Sequence, residues 1–248
     1  QAYRPVIFKD IIPTSVYEVA DKNLKDAEGY NLEAGVRGDW EFLSWDISFF
    51  QLKYRYRLGT LAQTNSAGEE IIFKTNIGNS MTKGLELFTQ AEFPLGRKAS
   101  LSLFTATAYM NGVYSNASLR SGNTNISIDG NKVESVPAWQ SRNGVTFKLN
   151  RISLSALHSY TAETFADAFN TITPSATGSA GLVPSYHLFD FNGKVSLSTH
   201  LQLRLNVNNA FDKQYFTKRP QFYPGPGIWP SDGRTYSATL GLRLGAKY

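Results

Sequence analysis

The sequence predicts an all-β chain: a transmembrane, antiparallel, up-and-down β-barrel, or a part of one. Three observations carry that expectation. First, the segment from Tyr236 to Tyr248 alternates without interruption. Tyr236, Ala238, Leu240, Leu242, Leu244, Ala246 and Tyr248 are interleaved with Thr235, Ser237, Thr239, Gly241, Arg243, Gly245 and Lys247. A period of two places each set on its own face of one strand, and a tilted strand of ~9–11 residues crosses a bilayer. Second, no run approaches the ~20 consecutive apolar residues of a membrane helix, which excludes a helical membrane protein. The sixteen Phe, thirteen Tyr and twenty Gly, with only 18% charged residues, suit strands that hide their apolar half in alternation. Third, the connections alternate between short and long.

Taken in order, a partial strand is expected around Tyr3 to Phe8. Tyr30, Leu32, Ala34 and Val36 then alternate with Asn31, Glu33 and Arg37. Leu43, Trp45, Ile47 and Phe49 alternate with Ser44, Asp46 and Ser48, after which the parity switches to Phe50, Leu52, Tyr54, Tyr56 and Leu58. A bulge near Phe49 and Phe50 would produce that switch. Leu85, Leu87, Ala91 and Phe93 make the next strand. Leu101 to Met110 is mixed, with Phe104 and Met110 on the opposite parity from Leu101, Leu103 and Tyr109. Val145, Phe147 and Leu149, then Ile152, Leu154 and Ala156, then Phe189 to Leu197, and Leu201 to Val207 follow the same rule, giving about ten strands with the last. Short turns fall near residues 38–41, 94–98, 150–151 and 198–200. Long connections fall near 9–28, 59–77, 115–136, 163–184 and 218–233, all expected at the other end.

The polar parity carries Glu33, Arg37, Asp46, Glu86, Glu92, Lys148, Asp190, Lys194, Arg204 and Arg243. Such charges need water or partners, so a wide lumen holding water or a polar plug is expected. Tyr109, Tyr160, Tyr186, Tyr215, Phe216 and Tyr236 lie near the long-loop ends, as an interfacial girdle would. The absence of cysteine removes disulfides, zinc-thiolate sites and cysteine nucleophiles. A net charge of +5 is spread without a basic run, which argues against nucleic acid. Gln1 follows no initiator Met or signal segment, so the chain is expected to be part of a longer one.

Several segments resemble TonB-dependent outer-membrane receptors, nearest the ferric citrate and ferric siderophore type. Residues 23–28 followed by Asn31-Leu32-Glu33-Ala34-Gly35 look like the family's "N-x-L-K-P-E … E-x-G" segment, with Asp26 in place of the usual Pro. Thr75-Asn76-Ile77-Gly78 with Lys83-Gly84-Leu85-Glu86 resembles the lead into the next strand. Asn209-Ala210-Phe211-Asp212 through Tyr215 is similar to the "N-x-F-D-x-x-Y" signature of the penultimate strand. The resemblance implies that residues 1–248 are the C-terminal portion of a barrel of about twenty-two strands, with the N-terminal plug and first strands absent. It further implies a Gram-negative outer-membrane receptor that binds a ferric chelate through its outer loops and imports it with energy from TonB, contacted through the missing part. The chelate is cargo, and no cofactor is expected. Outer-membrane lipids, lipopolysaccharide and the barrel-assembly machinery are the other expected partners. A passive porin or an adhesin barrel would share the alternation.

Within that resemblance, Arg120, Lys132, Lys218, Arg219 and Arg234 are candidates to attract an anionic chelate, because guanidinium and ammonium groups pair with carboxylates. Trp139, Tyr223 and Trp229 are candidates for a vestibule, and Asn170 lies in an expected outer loop. Tyr236, Leu240, Leu242, Leu244 and Tyr248 are read as the assembly signal, on an edge strand whose other side is unpaired. An enzymatic reading finds no support: His158, His187 and His200 occupy separate strand or turn positions without a nucleophile elbow or His-x-x-x-His spacing. No catalytic and no metal site is expected.

Overall fold

A computed structural model of the chain describes residues 2–65, 68–220 and 226–244. Strand β1 (Ala2–Arg4) and a single helical turn α1 (Phe8–Ile11) lead to β2 (Glu18–Ala20). The wall begins with β3 (Ala27–Trp40), β4 (Leu43–Thr64), β5 (Glu70–Pro94) and β6 (Ala99–Ser115). A small hairpin, β7 (Ser118–Ser121) and β8 (Thr124–Ser127), precedes β9 (Trp139–Leu149) and β10 (Ile152–Thr161). Then come β11 (Thr164–Phe165), β12 (Leu182–Val183), β13 (Tyr186–Ser196) and β14 (Leu201–Asn208). The chain continues through β15 (Phe216–Lys218), β16 (Trp229–Pro230) and β17 (Thr235–Leu242).

The main sheet runs β1-β3-β4-β5-β6-β9-β10-β13-β14-β17, with β2 added in parallel to β5 at Ile72–Lys74. Apart from β2 every pairing is antiparallel between sequence neighbours among the wall strands, the up-and-down order expected. The sheet does not close on itself: β17 pairs with β14 along one edge, and its other edge has no partner among the described residues. Of the expected assembly signal, Tyr236, Leu240 and Leu242 lie in β17, Leu244 follows it, and Tyr248 lies outside the described residues.

Register sorts the side chains by chemistry. Leu101↔Phe147↔Leu154 and Leu203↔Leu240 put apolar groups on one face, while Asp46↔Arg37 and Lys194↔Arg204 put charges on the other. Among the described residues the apolar face is left largely bare: Leu32 and Val36 are each 60% exposed and Leu240 66%. So large an apolar surface calls for an apolar solvent. The buried core therefore sits elsewhere, in the outer loops: Ile128 is fully buried among Tyr114, Ala117, Val133 and Ala168. Because Tyr114 shares the polar parity through Tyr114↔Ser80, loop 116–138 folds over that face at the long-loop end.

Two expectations need correction. The connection expected across 59–77 is a continuous hairpin, with β4 running to Thr64 and β5 starting at Glu70. Its outer part is braced by β2 and by the Asn125 side chain, which accepts from Ala62 N at 2.6 Å and donates to Ala62 O at 2.8 Å. Nor is there a bulge at Phe49 and Phe50, where Phe49↔Leu85 and Phe50↔Gly84 keep register. Phe50 instead lies on the polar face because Gly84 leaves room for its ring, and Phe104 does the same over Gly144. An aromatic ring over a cross-strand glycine covers backbone that would otherwise be bare. The irregularity comes later, between Tyr54 and Arg57, where Tyr56 adopts φ 57° and its N–H donates to Asn79 Oδ1 at 3.3 Å.

Candidate functional site at the barrel mouth

Where β4 and β5 rise past the apolar band, the segment between β1 and β3 folds against their polar face and encloses a cavity of about 460 Å³. Four basic side chains line it, Arg4, Lys9, Arg57 and Lys74, against one acid, Asp10. Arg4 Nη2 pairs with Asp10 Oδ1 at 3.1 Å, while Arg4 Nη1 is buried with no hydrogen-bond partner. Lys74 pairs with Glu18 at 3.1 Å and donates to the carbonyls of Lys9 and Ile12. Arg57 pairs with Glu134 at 3.4 Å, donates to Ser80 Oγ at 3.0 Å and lies 5.0 Å from the Tyr114 ring centroid. Tyr114 donates to Glu134 Oε2 at 2.6 Å; burial, and then this carboxylate, push its phenol above the ordinary value. An orphaned guanidinium N–H among several ammonium and guanidinium groups is chemically matched to a compact, oxygen-rich anion.

The cavity is held by carboxylates with lowered pKa values. Asp26 accepts from Val6 N at 2.7 Å and from Tyr3 Oη at 2.8 Å, and these two bonds hold it below the usual range. The residue that departs from the family's Pro is thus the one that fastens the segment leaving β1. Asp21 is lowered by Thr75 Oγ1 at 2.7 Å and then by Asn23 N. Asn76 exchanges hydrogen bonds with Lys25 N and Lys25 O, both at 2.9 Å.

The site residues expected from the sequence do not converge. Arg120, in β7, borders a different cavity of about 400 Å³ with Tyr17 and Glu70. Lys132 and Asn170 meet, but through the backbone: the Asn170 amide accepts from Lys132 N at 2.7 Å and donates to Lys132 O at 2.9 Å, tying two loops together. Arg219 donates to Leu182 O at 3.0 Å and Gly178 O at 2.8 Å and covers the Phe216 ring at 4.8 Å. Lys218 and Trp229 are cross-strand partners in the β15–β16 pair. Arg234 donates through its backbone N–H to Asp212 Oδ1 at 2.9 Å and through Nη1 to Ala210 O at 3.3 Å. Tyr223 lies outside the described residues.

Trp139, expected in a vestibule, belongs to β9 and faces the apolar side, 6.2 Å from the Tyr109 ring. Tyr186, expected in the girdle, has the polar parity and packs 4.5 Å from Tyr215. Neither cation of the mouth's strands stands out in the sequence: Arg57 lies near the end of the expected strand 43–58, on the parity opposite Tyr56 and Leu58, and Lys74 sits in what looked like a loop. The alternating Lys53-Tyr54-Arg55-Tyr56-Arg57 was the available signal.

The family-like motifs prove to be brackets. Asn209, buried at φ 47°, donates to Asp190 Oδ1 at 2.7 Å and exchanges bonds with Lys213 N and O at 2.8 and 2.9 Å, closing the turn after β14. Phe211 packs edge-on against Phe189 at 5.2 Å and Phe191 at 6.3 Å. No helix among the described residues is long and apolar enough to cross a membrane, which says nothing of strands.

Comparison with known proteins agrees with this architecture. The probable TonB-dependent siderophore receptor PiuA of Acinetobacter baumannii is 28% identical over 196 residues, covering 77% of this chain and 24% of that protein. The chain thus spans about a quarter of that relative's length. The crystal structure of the unliganded ferric citrate transporter FecA superposes with a TM-score of 0.69 at 21% identity, covering 88% of this chain and 31% of FecA. The crystal structure of PiuA from Acinetobacter baumannii gives 0.68 at 20% identity, covering 88% and 29%. The family described as TonB dependent receptor-like, beta-barrel matches residues 1–210, and the chain belongs to that family of outer-membrane barrels.

Proposed function

We propose that the complete protein is an outer-membrane receptor that takes up an anionic ferric chelate, of the siderophore or ferric citrate class, with TonB-coupled energy. This chain supplies one part of the barrel wall and five outer connections. The observation that carries the reading is the mouth cavity, which Arg4, Lys9, Arg57 and Lys74 line and where Arg4 Nη1 is buried without a hydrogen-bond partner. Family membership and the siderophore receptor among its relatives support the cargo class. A chelate that leaves carboxylate or catecholate oxygens at its surface accepts charge-assisted bonds from such groups, and Arg does so in bidentate geometry. In this reading the charged polar face contacts a plug, and nothing in the chain performs catalysis.

The test uses the full-length receptor and ferric citrate, a ferric catecholate and a ferric hydroxamate as probes. Arg4→Ala with Lys9→Ala should raise Kd for one of these chelates by roughly tenfold, the effect of one or two charge-assisted bonds. Collapsing the inner-membrane proton gradient should stop uptake while leaving binding intact. Binding of every probe that ignores the double substitution overturns the assignment of the cavity. Uptake that persists without the gradient points to a passive porin instead.

A further inference from the structure

The charges around the mouth cavity can be matched one by one. Three of its four cations already have an acid: Arg4 pairs with Asp10 at 3.1 Å, Lys74 with Glu18 at 3.1 Å and Arg57 with Glu134 at 3.4 Å. Lys9, on the same lining, has no ion-pair partner among the described residues. Nor can the three acids take on more. Asp10 Oδ2 accepts from Ile7 N at 3.1 Å, Glu18 Oε2 from the backbone and hydroxyl of Thr14, and Glu134 Oε2 from Tyr114 Oη at 2.6 Å. Each carboxylate thus holds its cation with one oxygen and a fixed donor with the other. Asp21 and Asp26 lie outside the lining and are engaged by Thr75, Asn23, Val6 and Tyr3. One positive charge, on Lys9, and one buried donor, Arg4 Nη1, are left over.

That remainder defines a complement. A carboxylate brings one negative charge and two acceptor oxygens, so it matches an ammonium and a guanidinium N–H together. A neutral group would satisfy the donor and leave the charge on Lys9 unmatched. A dianion would bring a surplus negative charge beside Asp10, where like charges repel. The rest of the lining, Leu24, Ala27, Tyr54 and Leu58, is apolar and suits a short hydrocarbon stem. At about 460 Å³ the cavity lies toward the small end of the ~300–1,000 Å³ range of ligand sites, room for an arm of a large chelate.

We infer that the cavity seats a single, singly charged carboxylate arm of the transported chelate, held by Lys9 and Arg4 Nη1, and that Glu134 is a positioning residue that sets this charge preference by neutralising Arg57. The inference rests on the anionic-chelate reading of the site and narrows it. The test uses the full-length receptor and a ferric trihydroxamate core, which is neutral because three singly charged hydroxamates balance the ferric ion. The core carries a succinyl arm, its methyl ester or a 3-phosphonopropionyl arm, and binding is read by quenching of tryptophan fluorescence.

The wild type should bind the acid roughly tenfold more tightly than the ester, as expected for a charge-assisted pair, and more tightly than the phosphonate. Arg4→Ala with Lys9→Ala should bring the acid down to the ester and leave the ester unchanged. Glu134→Gln, whose amide oxygen can still accept from Tyr114, releases the charge of Arg57 and should move the preference several-fold toward the phosphonate. Heat-modifiable gel migration verifies folding of each variant. An acid that binds no better than its ester overturns the inference, as do a wild type that prefers the phosphonate and a series that does not bind. If ferric citrate binding still falls in the double variant, the anionic-chelate reading survives that result; if it does not fall, both are lost. A preference unmoved by Glu134→Gln removes Glu134 from the assignment.

Discussion

The Asn170 clamp allows a worked prediction. In the wild type its side chain imitates a strand, giving Lys132 N an acceptor at 2.7 Å and Lys132 O a donor at 2.9 Å, from a backbone held at φ 58°. Asn170→Ala removes both bonds, at ~0.5–1.5 kcal/mol each. It also places a residue with no compensating local bond in the left-handed region, at about 1–2 kcal/mol. The total is about 3 kcal/mol of local stability, roughly a hundredfold in the opening equilibrium. Amide hydrogen exchange of the full-length receptor reads this at Lys132, whose protection should fall by about that factor while the amides of β9 and β10 stay protected. Asn170→Gly separates the contributions: it loses the bonds but tolerates the backbone, so Lys132 should lose only roughly thirtyfold. If Lys132 exchange is unchanged in Asn170→Ala, the clamp contributes nothing and the loops are held by the Ile128 cluster together with the Asn131–Ala168 and Ser135–Phe165 hydrogen bonds.

Three further outcomes are expected. Arg219→Ala should release loop 162–185 from the last loop, at about 2–4 kcal/mol for two charged hydrogen bonds and a ring contact; faster proteolysis between residues 172 and 181 checks it, and an unchanged rate refutes the latch. Gly144→Val should drive a side chain into the Phe104 ring and destabilise the folded barrel by about 1–3 kcal/mol in urea titration. Adding Phe104→Ala should recover much of that loss, and a purely additive double variant refutes the pairing. Asp21 and Asp26 have folded pKa values below the ordinary ~3.9, so their contribution is complete above that value and is lost as pH falls through the folded values. Pepsin cleavage in residues 5–26 should therefore increase below about pH 4, and Asp26→Ala should already be cleaved faster at pH 5. A cleavage rate that ignores both pH and substitution refutes this.

Several residues had the right chemistry and an unforeseen use. The Asn-x-Phe-Asp signature could be recognised, yet its Asn209 and Asp212 close a turn and its Phe211 packs on β13, so its specificity reflects backbone geometry. Arg219 and Asn170 were sensible choices as ligand groups by residue type, but in the folded loops their polar atoms meet carbonyls and amides of neighbouring loops. The reverse holds for Arg57 and Lys74. Arg57 follows the register shift after Tyr54, and Lys74 sits on a strand braced by β2 and Asn125, neither of which the local alternation discloses.

By itself the sequence determined the all-β class, the up-and-down order, the two chemically distinct faces and most of the strand positions. A period of two is local information, and a one-residue slip would exchange lipid-facing and lumen-facing residues everywhere, so the pattern must be written along every strand. It also carried the family. Tertiary structure alone decided which strands continue beyond the apolar band, which loops are tied together, and which cations share a cavity. It likewise brought His158 and His187 to 3.0 Å across β10 and β13. These depend on cross-strand register and on loop contacts between residues tens of positions apart, and no local periodicity encodes them.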